Sequence, residues 1–154
     1  PHVHWLNFQQ QNRIRNDASR RAAIAAQYEQ YRREILRDPF CVVLWQTEVE
    51  ARWTAGGKYA ASGAAGQSDI FGIAKPTGRA IFPEGKREVA AARQTPLQVI
   101  FESIVWDCGG SYGIYRNTDE FEALVRRELL LAERAHYAIQ AEAERLTKEE
   151  HGTH

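Results

Sequence analysis

The chain has 154 residues, 44% apolar and 26% charged, and its 20 basic and 20 acidic side chains cancel. That length supports one domain with a substantial core, and the composition is ordinary for a water-soluble globular protein. No apolar run approaches the roughly 18 residues of a membrane span, and the opening PHVHWLNF lacks the basic and apolar regions of a signal peptide. Two cysteines, Cys41 and Cys108, are too few for a disulfide framework. Both sit in apolar stretches, so buried free thiols in a reducing cytoplasm are expected. The zero net charge hides a gradient of +3 over residues 1–47, +1 over 48–118 and −4 over 119–154. A phosphate-rich partner is therefore expected to meet the first two-thirds of the chain.

Residues 1–16 are polar and irregular and read as an N-terminal arm, with His2 and His4 as tail residues lacking metal-ligand spacing to anything. Asn16 or Asp17 can cap a helix that runs to about Arg37, with Ile24, Tyr28, Tyr31 and Ile35 on one stripe and Pro39 ending it. FCVVLW, residues 40–45, is a short β-prone run and predicts a central strand. Val49, Ala51 and Trp53 alternate with polar residues as a second strand that breaks at Gly56-Gly57. The loop SGAAGQ leads into a strand over 69–74, KPTG makes a turn, and RAIF at 79–82 returns. Thr95, Pro96 and Gln98 mark a capped helix start, and that helix stops at Gly109-Gly110. SYGIYR is a further strand. Asn117 or Thr118 then opens a helix to about Glu149, with Phe121, Leu124, Val125 and Leu129 inward. The order predicts an α/β fold of three layers, with a core over 17–131 and a C-terminal helical extension over 132–154.

One stretch raises a chemical question. Asp69 opens one apolar run and Glu84 closes the next, and acids there cost desolvation unless something pairs with them. With KPTG as the hairpin turn, residues whose numbers add to 153 face one another, which sets Asp69 against Glu84. A Gly bulge at Gly78 would shift the pairing by one and leave the acids neighbours. Facing carboxylates repel unless a proton or cation lies between them, and paired oxygen ligands suit a hard ion such as Mg²⁺ or Mn²⁺. Lys86 lies two residues beyond Glu84 on the same face. The bland alternative is a solvated ion pair at a strand end.

The stretches GQSDIFGI, GRAIFPEGKRE and RQTPLQVIFESIVWDCGGSYGIYRNTDEF resemble a VRR-NUC domain, the virus-type replication-repair branch of the PD-(D/E)XK nuclease superfamily. The resemblance covers about residues 40–125. It implies a restriction-endonuclease-like αβββαβ core and Mg²⁺- or Mn²⁺-dependent hydrolysis of DNA phosphodiesters. Asp69 matches the metal-binding aspartate, and Glu84 and Lys86 match the acid and lysine of the E-x-K element. Gly85 falls where a main-chain carbonyl joins the metal shell, Gln98 matches the helix glutamine, and Gly109-Gly110 match the small turn before the last core strand. Relatives often draw a further acid from the first helix, for which Glu29 and Glu34 are the candidates. Pro83 and Gly85 stand where the family usually has aliphatic residues, which predicts a strand end, a bulge or an altered site there. Ser68 stands where the family commonly has proline.

Stand-alone domains of this family tend to be small viral or bacterial proteins working as homodimers on branched or structured DNA. The resemblance thus implies a cytoplasmic setting, in a bacterial or phage-infected cell, and a junction-resolving role. The alternative is a nuclease fold that binds DNA or assembles without cleaving. Lys58, Arg87 and Arg93 flank the proposed site as phosphate contacts or a solvated basic rim. Trp45, Trp53 and Trp106 are expected in the core. Gln98 is explained equally by a capping box and by chemistry. Beyond Ala132 the final helix keeps an apolar surface, including Tyr137 and Ile139, that one copy has little left to bury against, which predicts a homodimer.

Overall fold

A computed structural model describes residues 1–6, 18–46, 51–53, 59–61, 68–87 and 93–152. Ala-rich α1 (Ala18–Arg37) ends where Asp38-Pro39 breaks the hydrogen-bonding pattern. The Lys75 ammonium closes it, donating to the carbonyl oxygens of Ile35 (2.8 Å), Leu36 (3.2 Å) and Asp38 (2.6 Å). Ile24, Tyr31 and Ile35 are half-buried, while Tyr28 on the same stripe is exposed. The expected caps Asn16 and Asp17 lie outside the described residues.

The strands are β1 (Val3–Leu6), β2 (Cys41–Gln46), β3 (Ala51–Trp53), β4 (Tyr59–Ala61), β5 (Ile70–Lys75), β6 (Ala80–Gly85) and β7 (Ser111–Tyr115). Five form one mixed sheet in the order β1-β2-β5-β6-β7, and β3 pairs with β4 apart from it. β1 runs parallel to β2, β5 is antiparallel to β2 and β6, and β7 is parallel to β6. Val42 and Leu44 are fully buried, as an interior strand requires.

One expectation fails here and one is incomplete, for the same reason. Residues 3–6 are an edge strand, not part of an irregular arm, with Val3 packed on the core and Trp5 stacked on Phe121 at 5.9 Å. The expected second strand is present at Ala51–Trp53, but its partner is an unanticipated strand, Tyr59–Ala61, and the two form a separate sheet. Both are short segments whose partners lie outside their own local pattern. Gly56-Gly57 and residues 62–67 fall outside the described residues.

The β5–β6 hairpin has the expected register without a bulge shift: Gly72 faces Ile81 and Ile73 faces Ala80. Gly78 supplies the positive φ of 71° that the turn needs. Alternation along the strands sorts the two faces. Val42, Leu44, Ile70, Ala74 and Ile81 meet Val125 and Ala132 of α3 (Thr118–His151), while Phe82 and Tyr112 meet Phe101 of α2 (Pro96–Asp107). The sheet is thus flanked on both faces.

α3 starts at Asn117, whose Oδ1 accepts from the Glu120 N–H at 2.9 Å, and its 34 residues span about 51 Å. Core packing passes the expected limit at residue 131. Ala132 is buried, and Phe40 meets His136 (5.8 Å) and Tyr137 (6.3 Å). Ile139 and Leu146 beyond are exposed. Two core assignments also change. Cys108 is exposed because it is the C-cap of α2, where the chain turns out through Gly109 at φ 80°. Trp106 is 43% exposed on the outer side of α2, under the Arg79 guanidinium. Trp45 is half-buried against Phe71, at 4.8 Å between ring centroids. No helix among the described residues is long and apolar enough to cross a membrane.

Candidate functional site

Glu84, Lys86 and Gln98 meet where β6 ends beside the first turn of α2. Thr95 caps that helix, accepting from the Gln98 N–H (3.2 Å), while Gln98 Oε1 accepts from the Thr95 N–H (2.9 Å). This capping box fixes the Gln98 side chain at the sheet. Its amide then spans the site: Gln98 Nε2 donates to Glu84 Oε1 at 2.5 Å, and Gln98 Oε1 accepts from Lys86 Nζ at 2.6 Å. Only this orientation gives the carboxylate a donor and the ammonium an acceptor. The structural and chemical accounts of Gln98 therefore describe one geometry.

Lys86 Nζ also lies 3.3 Å from Glu84 Oε1. Glu84 is only 4% exposed, and its second oxygen, Oε2, is buried with no hydrogen-bond partner among the described residues. Burial pushes the Glu84 carboxyl above its ordinary value, and repulsion from the Asp69 carboxylate adds to this, against the opposing pull of Lys86 and of the Asp69 backbone amide. Asp69 sits just before β5, exposed, on the strand alternation that carries Phe71 and, across the hairpin, Glu84. The acid pair, the lysine and the glutamine thus come together on the face that α2 covers.

Pro83 and Gly85 lie in the last three residues of β6, the expected strand end, and do not bulge it. β6 runs through Gly85 in unbroken parallel register with β7, pairing Pro83 with Gly113, Glu84 with Ile114 and Gly85 with Tyr115. Ladder pairing with β5 does stop after Ile81, two residues before the proline, which has no N–H to donate. Fully buried Ser68 takes over: its hydroxyl contacts the Pro83 carbonyl oxygen, lies 3.0 Å from the Ile70 carbonyl oxygen, and accepts from the Ile70 N–H at 3.3 Å. Ser68 and Pro83 are therefore one linked feature, which a residue-by-residue reading treats as two departures. Gly85 leaves room for Tyr115, whose hydroxyl oxygen would lie 3.0 Å from an added Cβ.

Sequence reasoning noted Ser68 but not its tie to Pro83, and it missed Tyr112 and Tyr115. Burial first, then the carboxylates of Glu84, Glu102 and Asp69, raise the Tyr112 hydroxyl; burial, Asp69 and Glu84 do the same to Tyr115. A serine two residues before a strand start was the available signal for the first, through its short-range bond to the backbone. The tyrosines gave none, because only the β6–β7 pairing brings them there.

Comparison with family models, with curated proteins and with solved structures finds no significant match. The residues themselves therefore carry the functional argument. Arg87 and Arg93 are exposed on either side of residues 88–92, and Lys58 lies outside the described residues. Glu29 and Glu34 engage their own helix, Glu29 with Arg32 at 3.5 Å and Glu34 with Gln30 at 3.1 Å.

Proposed function

We propose that this chain is a VRR-NUC-like, divalent-metal-dependent DNA endonuclease that acts as a homodimer on branched or structured DNA. The observation that carries the reading is the buried Glu84, with one oxygen engaged by Gln98 and Lys86 and the other lacking a close hydrogen-bond partner, beside Asp69, whose backbone amide and carboxylate both act on it. An orphaned carboxylate oxygen beside a second carboxylate is a donor set suited to a hard cation. The element order α1-β2-β5-β6-α2-β7, with β7 parallel to β6, agrees with a restriction-endonuclease-like αβββαβ core. Regular pairing of Pro83, Glu84 and Gly85 with β7 supports a working site over a non-cleaving DNA-binding or assembly module.

Asp69 and Glu84 would hold the ion, with the Gly85 carbonyl adjacent. When bound, Mg²⁺ or Mn²⁺ supplies Lewis-acid polarisation of the phosphate and offsets its charge. Lys86, held at 2.6 Å by Gln98, presents its ammonium where negative charge builds on the phosphate oxygens. The N-terminus of α2 adds a positive partial charge on the same side. Arg87 and Arg93 contact flanking phosphates. Two sites related by a two-fold axis suit paired cuts in both strands.

The test is incubation of purified protein with plasmid and four-way-junction DNA, in Mg²⁺, in Mn²⁺ and in chelator. Cleavage in either metal, absent in chelator and in Lys86→Ala, is the expected result. Wild-type protein that binds junctions but cuts in neither metal replaces this reading with the non-cleaving module.

A further inference from the structure

At the opposite end of β2, about 17 Å along the strand from the acid pair at about 3.4 Å per residue, lies a cluster the nuclease reading does not use. We propose that His4, Asp38 and Cys41 form a second metal site, for a borderline-soft dication of the zinc class. A His4 ring nitrogen, an Asp38 carboxylate oxygen and Cys41 Sγ lie within 4.8 Å of one another. Their positions follow from the fold. β1 lies parallel to β2 and sets His4 beside Val43, Cys41 starts β2, and Asp38 closes the turn by which α1 hands the chain to the sheet.

Each oxygen of Asp38 is engaged by one histidine. His2 Nδ1 approaches Oδ1 at 2.6 Å, and His4 Nε2 approaches Oδ2 at 2.8 Å. His4 reaches the carboxylate from β1, and His2 from the residue just before that strand. The histidines expected to be tail residues are thus the most tightly engaged side chains of the N-terminal segment. His2 adopts φ 65°, a conformation uncommon for a residue with a Cβ. It is held there by its bond to Asp38, by stacking on Phe40 at 4.4 Å and by its carbonyl, which accepts from the Val42 N–H at 2.9 Å. Strained backbone of this kind clusters at sites where ligand geometry matters.

The chemistry of the donors selects the ion. One imidazole, one carboxylate and one thiolate form a mixed N/O/S set, which favours zinc over the hard ions suited to Asp69 and Glu84. A tetrahedral zinc holds such donors about 3.5 Å apart, so side-chain rotations of about 1 Å close the site. Binding replaces the Cys41 thiol proton, which leaves to solvent, and breaks the direct His4–Asp38 bond. His2 stays outside the coordination shell as the group that orients Asp38. The fourth position is open to water. Such an ion would tie β1 and the end of α1 to the sheet, a structural role separate from cleavage.

Cobalt titration of the metal-stripped full chain carrying Cys108→Ser tests this, because Cys41 is then the sole thiol. A thiolate-to-cobalt charge-transfer band that saturates at one equivalent and is bleached by Zn²⁺ is expected. His4→Gln and Asp38→Asn should each weaken Co²⁺ binding about tenfold or more, and Cys41→Ser should remove the band. Glu84→Gln should leave the titration unchanged, which separates this site from the acid pair. If Cys41→Ser does not fold, the His4 and Asp38 variants carry the test. Absence of the band in folded Cys108→Ser protein, or a titration indifferent to both His4→Gln and Asp38→Asn, overturns the proposal whatever the outcome of the cleavage assays.

Discussion

Glu84→Gln should make the metal-free protein more stable at neutral pH. The amide keeps an oxygen where Gln98 donates at 2.5 Å and places a donor at the buried, unpartnered position, on the side of Asp69. It also removes one of two neighbouring charges. Facing strand residues set their β-carbons about 5 Å apart, and two charges at that separation repel by about 3 kcal/mol at an effective dielectric of about 20. Asp69 is exposed, so solvent screening reduces this to about 1 kcal/mol. Burial adds to the penalty and Lys86 subtracts from it; the upward pKa of Glu84 says that the first two prevail.

A gain of about 1 kcal/mol in a chain of this length corresponds to about 2–4 °C in Tm. The pH dependence follows from the same direction of shift. A carboxyl raised in the folded state favours folding below its ordinary value of 4.5 and loses that contribution as pH rises through the folded value. The variant's advantage should therefore be present at neutral pH and vanish in acid. Millimolar Mg²⁺ should raise the Tm of the wild type and leave the variant unmoved. Calorimetry at both pH values, with and without the ion, decides. A variant less stable than wild type at neutral pH without metal, or equal stabilisation of both proteins by Mg²⁺, would refute the charge-repulsion account.

Four further outcomes can be checked on the same preparation. Asp69→Ala and Lys86→Ala should each lower cleavage by about 10²-fold or more while retaining junction binding in gel shift; near-wild-type cutting by either defeats the site assignment. Ser68→Ala should cost about 1–3 kcal/mol in chemical denaturation, and adding Pro83→Ile, which restores a ladder donor, should recover part of it. Gly85→Val should cost about 1–3 kcal/mol because its Cβ would sit 3.0 Å from the Tyr115 hydroxyl; an unchanged midpoint would show that Tyr115 moves freely. Ending the chain after Ala141, beyond the His136 and Tyr137 contacts with Phe40, should convert a dimer to a folded monomer in light scattering; a monomeric full-length chain removes the dimer proposal.

What the sequence made legible was local. The β5–β6 register follows from a four-residue turn with Pro and Gly at fixed places, and so the facing of Gly72 with Ile81 and of Ile73 with Ala80, which runs on towards Asp69 and Glu84, could be counted before any coordinates. The same holds for the Thr95–Gln98 box and the Asn117 cap, each contained within four residues. What escaped is what distant partners decide. Val3–Leu6 is a strand because β2 lies beside it, and His2 and His4 acquire meaning only when Asp38, more than thirty residues on, arrives between them. Pro83 read as a defect in the site. Its partner, Ser68, lies on the far side of the hairpin, and neither residue alone signals that the two are matched. Cys108 and Trp106 read as core because an apolar run does not say which side of a helix faces outward.

The Gln98 carboxamide gives the site an address in hydrogen-exchange terms. Its oxygen is shared between the Lys86 ammonium and the Thr95 amide, so the amide proton of Thr95 is one bond away from the charge that faces a phosphate. A ligand that draws Lys86 forward frees a lone pair for Thr95, whereas fraying of the first turn of α2 releases Lys86 and Glu84 together. Occupancy of the site and protection of a single backbone amide are thus linked quantities, and the slowest local opening of α2 sets how long the assembled constellation persists.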